Sequence, residues 1–121
     1  MDIILLNNPV GTVQHPNVDF ELGDNGSAFV SLSLIINDES GIKYKLVHDE
    51  QYSGNLNRSL PLQSGSYPCT LVIHAFRQGA LGPIYDSFLK ISGHSIASAK
   101  GAIPTNEKDE LGYTKFILNV S

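Results

Sequence analysis

Cysteine is nearly missing from this chain: Cys69 stands alone, so no intramolecular disulfide can form and a disulfide-framed secreted scaffold is excluded. Its flanks, Tyr67-Pro68-Cys69-Thr70-Leu71-Val72-Ile73, form an apolar β-type run with no neighbouring base to make a thiolate, so a buried structural thiol is expected rather than a nucleophile. Tryptophan is absent, which removes the Cys-Trp-Cys arrangement of true immunoglobulin domains. Charge is scarce too. Charged residues make up 17% of the 121, and eight Lys and Arg against twelve Asp and Glu leave a net charge of -4. The basic residues are scattered, with Lys43, Lys45 and Arg58 the nearest to a group, so the clustered cations that nucleic-acid phosphates require are lacking. No run approaches the roughly 20 apolar residues of a membrane helix. Met1-Asp2 opens on an acid and Ile3 to Leu6 is short for a secretory apolar segment. The chain as written therefore reads as cytoplasmic, with secretion by another route, or a Met1 that replaces a removed signal, as the alternatives.

What is present is a sequence of the length of one domain, expected over 1–121, with 41% hydrophobic residues, enough to bury a core without a staple. Helical periodicity is poor: the best stretch, Ser95 to Lys100, is bracketed by Gly93 and Gly101. Period-two alternation is frequent instead. Val18, Phe20 and Leu22 alternate with Asp19 and Glu21, and Val30, Leu32, Leu34 and Ile36 alternate with Ser31, Ser33 and Ile35. Ile42, Tyr44 and Leu46 alternate with Lys43 and Lys45, and the link Asn37 to Gly41 makes these two runs a hairpin with a five-residue loop. Arg58 to Leu62, broken by Pro61, suits an edge. Tyr67 to Phe76 carries apolar groups on both faces and reads as a central strand buried on both sides, with His74 as a hydrogen-bonded core residue. Ile84 to Ile91 and Ser95 to Ile103 flank a tight Ser92-Gly93 turn, and Tyr113 to Val120 closes the chain. Short strands at this spacing predict an all-β, antiparallel β-sandwich, immunoglobulin-like or jelly-roll-like, with a small β-barrel as the alternative. The expected core holds Val30, Leu32, Leu34, Leu46, Leu71, Ile73, Phe88, Phe116 and Leu118. The outer faces are expected to carry small uncharged groups such as Ser31, Ser33, Ser95, Ala97 and Ala99, which would suit a homo-oligomer.

If consecutive strands run antiparallel, Gly23–Gly26, His48–Asn57, Arg77–Pro83 and Pro104–Gly112 share one end of the sandwich, and three of the four are long. Asp24, Asp49, Glu50, Glu107, Asp109 and Glu110 against Arg77 and Lys108, six less two, put four excess negative charges there. Asp24, Asp49 and Glu50 are the candidate metal ligands and calcium the cation such oxygens suit, although no D-x-[DN]-x-[DN]-G spacing is present and Asp24-Asn25-Gly26 also reads as a simple turn. No catalytic signature stands out: there is no G-x-S-x-G elbow, and His15, His48, His74 and His94 are dispersed. The reading is therefore non-enzymatic. Asp24, Asn25, His48, Asp49, Glu50, Tyr52, Asn55, Asn57, Arg77 and Gln78 are the candidate binding residues, of the aromatic and polar kinds that contact sugars and peptide backbones. A lectin-like or protein-binding recognition module, with a glycan or protein partner, is the expected function. A structural subunit of a larger assembly, such as a phage or secretion-machine component, is the alternative.

Overall fold

The computed structural model describes residues 1–6, 10–13 as backbone, 17–49, 55–77 and 81–121. Among them are ten strands: β1 (Ile4–Leu5), β2 (Val10–Val13), β3 (Asn17–Asp24), β4 (Phe29–Asp38), β5 (Gly41–Asp49), β6 (Leu56–Pro61), β7 (Gly65–Phe76), β8 (Ile84–Ile91), β9 (His94–Ala102) and β10 (Asp109–Val120). They form two sheets, ordered β1-β9-β8-β3-β6 and β2-β10-β7-β4-β5. Neither closes on itself, so the architecture is the β-sandwich and not the barrel. Pairing is antiparallel except between β2 and β10, which run parallel. The hairpins β4–β5 and β8–β9 stay within a sheet, while every other step from strand to strand changes sheet.

The buried faces follow the alternation. Val18, Phe20 and Leu22 of β3, Val30, Leu32, Leu34 and Ile36 of β4, and Tyr67, Cys69, Leu71, Ile73 and Ala75 of β7 interleave between the sheets with Phe116, Leu118 and Val120 of β10. Burying each such Leu, Ile or Phe contributes about 1.5–3 kcal/mol, which is what makes the two sheets one body. Leu46 and the other expected core residues join them, with one exception. Phe88 is half-buried on the outer face of β8, because Tyr85, Ser87, Leu89 and Ile91 take the inner positions. Its ring lies over Gly23, its ladder partner, and Lys90 sits 5.5 Å from the ring centre.

Other expectations are corrected. Ala97 and Ala99 are buried rather than outward, since a register shift at Leu89/Lys90 lets both Ile96 and Ala97 turn inward. The β4–β5 turn is tighter than five residues: Asp38 pairs with Gly41, and the Asp38 carboxylate accepts hydrogen bonds from the Ser40 amide and hydroxyl at 2.8 and 2.7 Å. The β8–β9 turn is as expected, with φ of 50° at Ser92 and 78° at Gly93, the double left-handed geometry of a two-residue hairpin. β7 is central in its sheet but buried on one face only; Thr70, Val72, His74 and Phe76 are half-exposed.

Cys69 is buried, donates weakly to the Tyr67 carbonyl at 3.4 Å, and burial pushes its thiol up to about 12 from 9.0. A thiol reagent near pH 8 should label the native protein at least about a hundredfold more slowly than the chain in denaturant. Because the folded value lies above the unfolded one, this thiol contributes stability below pH 9.0, and that contribution is lost as pH rises toward about 12. Fast labelling of the native protein would disprove the buried assignment.

Candidate functional site

Strand register brings the expected junctions to one end. Phe29 at the start of β4 pairs with Phe76 at the end of β7, Asp109 at the start of β10 pairs with the same residue, and Asp49 at the end of β5 pairs with Ser31. In the other sheet Leu22 pairs with Leu56 and Asp24 with Ser87, so the β3, β6 and β8 ends of these junctions also lie together. The fourth junction is shorter than its sequence suggests, because Asp109 to Gly112 belong to β10 and pair along β7.

Several side chains at this end are committed to the fold. One Asp24 carboxylate oxygen accepts the Gly26 amide at 2.7 Å, and the other accepts the Asp86 amide at 2.8 Å and the Ser87 hydroxyl at 2.7 Å. Those donors occupy the lone pairs a cation would need. The Arg77 guanidinium donates to the Ile103 carbonyl at 2.7 Å and its amide to Lys108 at 3.0 Å, fastening the β7–β8 link to the β9–β10 link. Asn55 lies against Gly23 and donates to Glu21 at 2.8 Å, while Asn57, exposed, makes a long 3.5 Å contact with the Asn55 carbonyl. Asn25 is exposed and Asp49 half-buried.

His48 departs from its expected place on a solvated loop. It is 6% exposed, on the inward face of β5 with Leu46, and its Nε2 has no hydrogen-bond partner among the described residues. Glu50, Tyr52 and Gln78 lie outside the described residues. Among the described residues no group of three or more His, Cys, Asp or Glu could hold a metal ion. No described helix is long and apolar enough to cross a membrane.

The outer faces of the two sheets differ in kind. On the first, Glu21 pairs with Lys90 and Asp86 with Lys100, opposite charges set side by side as on a solvated surface. On the second, register lines the outward side chains into rows. Asp109, Phe76 and Phe29 form the row nearest the loop end, followed by Leu111, His74, Ser31 and Asp49. Then come Tyr113, Val72, Ser33 and Val47, and after them Lys115, Thr70, Ile35 and Lys45. The last row holds Ile117 paired with Pro68, and Asn37 paired with Ile42. Leu111 is 59% exposed, Tyr113 71%, Ile42 68%, Val47 49% and Ile117 43%. At the loop end of this face His74 Nε2 lies 2.8 Å from the Asp109 carboxylate, its ring 3.9 Å from that of Phe76, which meets Phe29 edge-on at 6.0 Å. At the far end a shallow depression of about 390 Å³ opens between Asn37, Pro68, Thr70, Lys115 and Ile117. A second, polar depression of about 380 Å³ lies at the short-turn end, beside Asp38 to Ser40 and Ser64 to Tyr67.

The sequence marks this face through the small outward Ser31 and Ser33, but its exposed apolar rows are missed where the site is sought on the loops. The signal is Leu111-x-Tyr113-x-Lys115-x-Ile117, an outward set apolar at all but Lys115, running opposite an inward Phe116, Leu118 and Val120. His74 is hydrogen-bonded as expected, but on this outer face and not in the core. Searches of family models, curated proteins and solved structures return no match to this chain.

Proposed function

We propose that this chain is a non-enzymatic structural subunit that assembles through the outer face of its second sheet. The observation that supports this reading is the concentration of exposed Leu111, Tyr113, Val47, Ile117 and Ile42 on that face, against the paired charges on the other. Exposed apolar side chains gathered on one face are what association surfaces carry. Here Asp109 and Asp49 edge the face at the loop end, and the row of Lys115 and Lys45 crosses it between Tyr113 and Val47 on one side and Ile117 and Ile42 on the other. Edge-to-edge assembly is disfavoured by the same strands: β5 carries a register shift and two lysines, and β6 ends in Pro61.

A recognition module for a glycan or protein is the second reading, favoured by the convergence of Asn25, Asp49, Asn55 and Arg77 at the loop end. Sedimentation between about 1 and 100 μM separates the two, since interfaces of this class associate in that range. Assembly predicts species heavier than 13.1 kDa. Tyr113→Glu should return them to monomer with an unchanged circular dichroism spectrum, because the ring is 71% exposed and supports no core contact. A lone 13.1 kDa species throughout would shift the weight to the loop end.

A further inference from the structure

We infer that the occupant of the second sheet's outer face is a second copy of this chain, packed face to face about a two-fold axis that runs along the Tyr113–Val72–Ser33–Val47 row. This inference rests on the assembly reading and gives it a partner and a geometry. Such an axis lays each strand over its own copy and exchanges the rows on either side. Aligned sheets pack this way about 10 Å apart, rotated from one another by about 30°.

On β5 and β7 the face is complementary to itself under that operation, while on β10 it sets Asp109 over Ile117 and Leu111 over Lys115. Asp49, one row toward the loop end, meets Lys45 of the second copy, one row the other way, and the contact occurs twice. Phe76, two rows toward the loop end on β7, meets Pro68 of the second copy, two rows away on the same strand. The bulky Phe76–Phe29–His74 cluster thus comes over the depression beside Pro68 and Asn37. Tyr113 and Val47 meet their own copies, and the small Ser31 and Ser33 let the sheets approach. Four strands and five rows span on the order of 600 Å² at ordinary strand and residue spacings, close to the roughly 800 Å² per partner of a standard interface. The same operation finishes β7, whose sequence is apolar on both faces although a single chain covers only one.

Charge reversal tests the axis. Lys45→Asp alone sets acids against Asp49 of the copy, and Asp49→Lys alone sets lysines against Lys45. Each should weaken self-association about tenfold or more, since like charges directly opposed across sheets are destabilising and the contact is made twice. An equimolar mixture of the two variants should restore association, because both contacts in the mixed pair then join opposite charges. Labelled Lys45→Asp mixed with unlabelled Glu21→Lys, which carries the same charge change as Asp49→Lys but on the other sheet, should stay largely outside the associated species, because one of its two contacts still sets acid against acid. Association of the wild type that neither variant weakens, or that the Glu21→Lys mixture restores equally, overturns the two-fold geometry while leaving assembly intact. Wild type that stays at 13.1 kDa overturns both.

Discussion

Asp24→Ala is expected to lower the stability of this domain by about 3 kcal/mol, read as a fall of about 10–15 °C in the thermal midpoint. The carboxylate accepts three hydrogen bonds, from the Gly26 and Asp86 amides and the Ser87 hydroxyl, and so ties the β3–β4 corner to β8. Ser87 is fully buried on the inner face among Tyr85 and Leu89, so its hydroxyl has no ready replacement acceptor. A hydrogen bond to a charged group contributes about 1.5–3 kcal/mol, and a buried donor left without an acceptor costs about 1–3 kcal/mol. Water reaching the half-buried amides keeps the total below the sum. Asp24→Asn should fall between, because one oxygen remains while the amide group turns donors toward donors. A cation ligand at this position would behave differently: calcium at about a hundred times its dissociation constant would raise wild-type stability by about 2.7 kcal/mol and leave Asp24→Ala unmoved. Unchanged wild-type melting on calcium addition, together with a large loss in Asp24→Ala, is the expected pair of results. A variant that melts within about 2 °C of wild type would mean that the three hydrogen bonds contribute little net free energy.

How far the sequence could be read depends on what each residue type can signal. β8 is legible to its ends, Ile84 to Ile91, because apolar alternation and the Ser92-Gly93 turn delimit it. Its inner face is not, since Ile84 and Phe88 alternate with Tyr85, Leu89 and Ile91, and both sets are apolar. Two tertiary partners decide the matter: Ser87 turns inward to reach Asp24, and Phe88 turns outward to cover Gly23. Ala97 and Ala99 carry too little side chain to mark a face, and the register shift in β9 removes strict alternation. The end of the sandwich on which the long junctions meet was legible from antiparallel parity alone. The employment of the side chains there was not, because whether Asp24 or Arg77 faces solvent depends on backbone groups of Asp86 and Ile103 that are distant in the chain. The first half of β10 was hidden for a similar reason: Asp109-Glu110-Leu111-Gly112 has the composition of a loop, and only its partner β7 makes it strand. β1 and β2 are short segments that depend on β9 and β10 for their pairing.

Gly26→Ala should also be strongly destabilising, by about 3 kcal/mol or more, for a reason of space rather than of backbone freedom. A Cβ at Gly26 would overlap the Ile84 carbonyl oxygen and lie 2.9 Å from the Ile84 carbonyl carbon and the Tyr85 Cα. These are backbone atoms in β8 and cannot swing aside as a side chain would. The same carbonyl accepts the Ser27 and Ala28 amides at 2.8 and 2.7 Å, so moving it loosens the corner that Asp24 also holds. Gly93→Ala supplies the contrast. Gly93 has a φ of 78° and nothing within 4 Å of an added Cβ, so the cost there is the left-handed backbone alone, about 1–2 kcal/mol. Urea unfolding of the two variants, with equal slopes, should therefore place Gly26→Ala well below Gly93→Ala in midpoint. Equal midpoints would mean that the β3–β4 corner yields to the methyl group, and that Asn25 and Gly26 form a compliant loop instead of a fixed seam between the sheets.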